Sequence, residues 1–130
     1  MQHKTWLAGQ DTFIESLSPE NNYGVVFEDD GETAYFYALE RDPANPEPRI
    51  LDALHIHQSE ARDVEATPQN LMIIWSRDWM KAALVIDGRC HGLFDFTVQG
   101  GYNIHEFPPP AGPWTKQGRR LTNELLSDLF

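Results

Sequence analysis

A single cysteine, Cys90, in 130 residues leaves nothing for an internal disulfide or a cysteine-rich zinc site within one chain. No apolar run approaches the roughly 20 residues that cross a bilayer. The first fifteen residues, which include Lys4, Gln10, Asp11 and Glu15, contain no continuous hydrophobic segment of the secretory kind. These absences predict a soluble, cytoplasmic protein whose fold rests on burial alone. Positive charge is scarce too: 10 Lys or Arg stand against 20 Asp or Glu, for a net charge of −10. The imbalance is local, because residues 1–65 hold 14 acids against 4 Lys or Arg while residues 66–130 hold 6 of each. Phosphate backbones and anionic membranes are bound by basic surfaces, so neither nucleic acid nor membrane is an expected partner. Glycines occur in none of the patterns GxGxxG, phosphate loop or GxSxG, which sets aside nucleotide and α/β-hydrolase chemistry.

What is present is a succession of apolar, β-rich segments. Tyr23–Phe27 and Thr33–Leu39 flank the acidic turn Glu28–Glu32, whose Asp30-Gly31 pair is a strong hairpin signal. In the second arm Tyr35, Tyr37 and Leu39 share one face and Ala34, Phe36 and Ala38 the other, which predicts a central strand covered on both sides. Residues 41–49 contain Pro43, Pro46 and Pro48 and read as a loop. Residues 50–57 alternate as a strand, residues 58–70 as an exposed connection, and residues 71–75 as a short strand. A second hairpin is centred on Asp87-Gly88-Arg89, and Gly100-Gly101 ends the sheet. Leu121, Leu125, Leu126, Leu129 and Phe130 fall on one helical stripe. The expected fold is α+β, mainly β: a single twisted antiparallel sheet of about six strands with a C-terminal helix packed on one face. The chain reads as one domain, 1–130, with a sheet core at 18–98, a Pro/Gly-rich extended segment at 99–117 and the helix at 118–130.

Two features carry chemistry. Glu28, Asp29, Asp30 and Glu32 crowd one turn and are the candidate partner-binding residues, an acidic face for a basic protein. They lack the ligand spacing of a calcium loop. His55-x-His57 places two imidazoles two residues apart on a strand, where period two puts both on one face within reach of one divalent metal. A third ligand from His91, His105 or Asp95 would be required. Asp52, among apolar strand residues, is expected to be a structural acceptor. Cys90 beside His91, at the hairpin tip, reads as an incidental surface thiol, since adjacent strand residues face opposite ways. No catalytic residue and no cofactor beyond that metal are expected. A competing expectation is that Lys116, Arg119 and Arg120 pair with the acidic half of the same molecule in place of a partner. Exposed edge strands make a homodimer a further expectation.

Several stretches resemble a family of uncharacterised bacterial proteins, the domain of unknown function 2251 (DUF2251). They are Ser18–Thr33 (SPENNYGVVFEDDGET), Tyr35–Ala38, Ile50–Ile56, Ile74–Ser76 and Phe94–Phe96, which together span most of residues 18–98. The resemblance implies a small bacterial domain and brings no activity, cofactor or catalytic residue with it. Two roles therefore compete. One is a non-enzymatic interaction module, regulatory or immunity-like, using its acidic face. The alternative is a metal-dependent enzyme centred on His55 and His57.

Overall fold

The computed structural model describes residues 2–58 and 68–104. They form nine strands: β1 Gln2–Trp6, β2 Thr12–Leu17, β3 Tyr23–Asp29, β4 Thr33–Asp42, β5 Asn45–Gln58, β6 Gln69–Trp75, β7 Lys81–Ile86, β8 Arg89–Asp95 and β9 Gly100–Asn103. All pairings are antiparallel, in two separate sheets ordered β2-β3-β4-β5 and β1-β6-β7-β8-β9. The expected single sheet of about six strands with a packed helix is thus corrected to an all-β pair of sheets. The described residues contain no helix, and the segment 118–130 assigned to one lies outside them.

The reason lies in what covers each apolar face. Residues from both sheets merge into one core, with Ile14, Phe27, Phe36 and Leu54 from the first and Leu71, Leu84 and Phe94 from the second, joined by Phe96 just past β8. Phe36 stacks on Phe94 with ring centroids 5.2 Å apart, and Tyr23 stacks on Phe96 at 4.5 Å. Each sheet is the other's lid, the sandwich solution to burying a one-sided apolar surface. A strand reads the same whether a helix or another sheet sits on it, so alternation alone did not separate the two. The layers approach closely at Gly92, where an added Cβ would lie 3.0 Å from Leu54 Cδ1 and 3.4 Å from Phe36 Cδ2. Polar ties join the layers at their margins: Trp75 Nε1 donates to Ser16 Oγ at 2.9 Å and Asn103 Nδ2 to the His55 carbonyl at 2.8 Å.

Three local expectations change. Residues 41–49 are not a free loop, since β4 runs to Asp42 and β5 starts at Asn45. Pro46 and Pro48 fit inside β5 because it is the edge of its sheet, where a missing donor breaks no ladder bond. Gly100-Gly101 opens β9 instead of ending the sheet. Cys90 lies within β8, because the β7–β8 turn is only Asp87-Gly88, both at positive φ (49° and 79°) as a tight primed turn requires. Among the described residues no helix is long and apolar enough to cross a membrane.

Candidate functional site

The inner faces are filled by the core, so chemistry has to be sought on outer faces and strand ends. Cross-strand register builds the outer face of the β2–β5 sheet as three rows. Phe13, Glu28, Tyr35 and His55 form one row, Glu15, Val26, Tyr37 and Ala53 the next, and Leu17, Gly24, Leu39 and Ile50 the third. Alternation dictates this: on β2, Thr12, Ile14 and Ser16 turn inward, which sends Phe13, Glu15 and Leu17 outward. Phe13 (54%), Leu17 (37%) and Ile50 (61%) are the large exposed apolar residues of this face. Tyr35 and Tyr37 lie half-buried between them with ring centroids 5.8 Å apart. Burial, followed by the charge of Glu28, the neighbouring Tyr35 and the charge of Asp30, pushes the Tyr37 phenol above its ordinary value. The acidic side chains and the tyrosines therefore belong to one electrostatic neighbourhood.

The β3–β4 hairpin divides the four predicted acids into two kinds. Glu28, Asp30 and Glu32 are exposed. Asp29 is 1% exposed and turned inward, where Oδ2 accepts from Trp6 Nε1 at 3.0 Å and the Gly9 amide at 2.9 Å, and Oδ1 accepts from the Gly31 amide at 2.9 Å. Its carboxylate clamps the β1–β2 connection and the opposite sheet to the hairpin. Asp30 Oδ1 accepts from the Glu32 and Thr33 amides at 2.9 Å each, and those backbone bonds hold its carboxyl below the usual range. One salt bridge, Arg49 to Glu40 at 2.7 Å, occurs among the described residues, so Glu15, Glu28, Asp30 and Glu32 take part in none there.

The two histidines are not brought together. A register shift in β5 pairs His55 with Tyr35 but His57 with Ala34, leaving Ile56 as the extra residue of a bulge. Tyr35 is on the outer face and Ala34 is fully buried in the core. Accordingly the His55 ring meets Tyr35 edge-on at 5.4 Å, while the His57 ring meets Trp6 of the other sheet at 5.8 Å. Among the described residues no group of three or more His, Cys, Asp or Glu side chains is placed to hold a metal ion. Asp52 is 2% exposed and turned into the sandwich beside Leu54 and Ile56. Cys90 packs with Ala83, Leu93 and Tyr102 on the outer face of the β1–β9 sheet, and burial pushes its thiol up to about 11. That is the reverse of an activated nucleophile. Lys116, Arg119, Arg120 and His105 lie outside the described residues.

Sequence reasoning found the acidic turn and missed the surface it joins. The alternation of Phe13, Glu15 and Leu17 was legible. Its placement two strands from Tyr35 and Tyr37 depended on register.

The profile of the uncharacterised bacterial family DUF2251 matches residues 6–130. An uncharacterised protein of Haemophilus influenzae is 38% identical over 106 residues, which cover 79% of this chain and 63% of that protein. The chain therefore spans less than two thirds of that relative's length. No solved structure matches the chain.

Proposed function

The chain belongs to the DUF2251 family of bacterial proteins, and starting from that membership we propose a non-enzymatic interaction module that holds a basic segment of a protein partner. The binding surface is the outer face of the β2–β5 sheet together with the β3–β4 tip. One observation carries the reading: exposed Phe13, Leu17 and Ile50 surround two half-buried tyrosines, with four carboxylates, Glu15, Glu28, Asp30 and Glu32, free of ion pairs among the described residues. Exposed apolar side chains rimmed by charge are a common mark of an interaction surface. The carboxylates supply attraction for Lys or Arg, and the tyrosine rings offer faces to the same cations. A regulatory or immunity-like role in the bacterial cytoplasm suits a fold with one cysteine and no disulfide to make. The metal-enzyme reading gains nothing from two imidazoles on opposite sides of a strand.

Tagged wild-type protein and the Glu15→Lys/Glu28→Lys variant, each used to capture partners from the native bacterial lysate, test the proposal. Wild type is expected to retain a defined basic protein at low salt. The variant should lose it, and so should wild type at high salt, because the screening length shrinks from about 10 Å at 0.1 M to about 3 Å at 1 M. Capture that survives both changes, or recovery of no basic protein, refutes the proposal.

A further inference from the structure

The geometry points to a cleft at the lower end of this face as the seat of an arginine or lysine side chain of the partner, an inference that rests on the interaction-module reading. Glu15 and Leu17, on the outer face of β2, line it from one strand, and Asp42 at the end of β4 with Pro46 and Pro48 at the start of β5 line it from the others, around a space of about 490 Å³. That size falls within the about 300–1,000 Å³ of small-ligand pockets, which leaves ample room for one long side chain. The chemistry is mixed in the way a long cationic side chain needs. Leu17 and the proline rings give apolar walls for its methylenes, and the carboxylates of Glu15 and Asp42 take its charged head. Arg41 also lines the cleft, yet its Nη2 donates to the Ser18 carbonyl at 3.1 Å and the Asn21 carbonyl at 3.0 Å. Its guanidinium is thereby fixed as a strut between the β2–β3 turn and β4 and keeps its charge, so the two carboxylates outweigh it and the opening stays negative by one. The cleft continues the proposed interface through Glu15 and Leu17, so one extended segment can lie on the tyrosines and drop a basic residue into it.

The test titrates the isotope-labelled full chain with an acetylated, amidated Arg-Leu-Arg-Leu-Arg-Leu peptide, and with the same peptide carrying neutral citrulline for arginine. The arginine peptide is expected to shift the amides of Leu17 and Asp42 together with those of Glu28 and Tyr37, and the citrulline peptide to shift neither set. Glu15→Gln/Asp42→Asn should weaken the arginine peptide about fivefold, the loss of two exposed ion pairs. Asparagine keeps the oxygen that accepts from the Ala44 amide at 2.9 Å, so the turn is preserved. Shifts at Glu28 and Tyr37 without any at Leu17 and Asp42 overturn the cleft and leave the larger face standing. Silence at both sets overturns both. Equal binding of the citrulline peptide, or inorganic phosphate shifting the cleft amides, overturns the assignment of a cationic occupant.

Discussion

At the scale of single residues, Asp29 and its neighbours show how one run of acids splits into structure and surface. Asp29→Ala strands the Trp6 indole N–H and the Gly9 amide in a dry site, and is expected to cost about 2–4 kcal/mol in denaturant unfolding. Glu28→Gln, one residue away and exposed, should stay within about 0.5 kcal/mol. Cys90 sets the alkaline behaviour. Its folded thiol sits at about 11 against an ordinary 9.0, so on raising the pH the unfolded chain loses the proton first. Stability is intact below about pH 9 and falls by about 2 kcal/mol between 9 and 11. Tyr37, shifted upward as well, adds to that loss from about pH 10. Thermal melts across this range should show the decline, and Cys90→Ala should flatten its lower part. The composition of 28–32 was fully legible in the sequence. That Asp29 turns away from water was not, because its donors lie 20 and 23 residues back in the chain.

At the scale of elements, local signals were read well and long-range ones poorly. Asp30-Gly31 and Asp87-Gly88 announced their hairpins through turn chemistry that acts over four residues. At Gly88, φ is +79° and an added Cβ meets no atom within 4 Å, so Gly88→Ala isolates the backbone cost, expected at about 1–2 kcal/mol in equilibrium unfolding. The β5 bulge was invisible: nothing in Leu54-His55-Ile56-His57 marks where a residue is left over, and that displacement alone parts the imidazoles. Proline reads as a breaker until one knows that its strand is an edge. Pro46→Thr/Pro48→Thr restores two donors on the free side of β5 and is expected to shift the protein toward strand-paired dimers, seen as a mass increase in light scattering.

At the scale of the whole molecule, what was legible is a set of antiparallel strands, and what was not is their partition into two layers. β1 and β2 adjoin in sequence yet belong to different sheets, and β1 finds its partner in β6. Alternation records which side chains are apolar but not what they meet. Gly92 shows the layers' spacing: Gly92→Val should wedge β8 away from Leu54 and Phe36 and cost about 1–3 kcal/mol, read from the urea midpoint. The pairing of Gln2–Trp6 with Gln69–Trp75 also has a consequence for biosynthesis. As the polypeptide leaves the ribosome, the four-stranded layer can assemble as soon as Gln58 has emerged, while Gln2–Trp6 waits unmatched for a mate translated more than sixty codons later. Until then the inner side of that layer, where Phe36 awaits Phe94, has no roof, and the nascent chain offers chaperones a sticky, half-built intermediate.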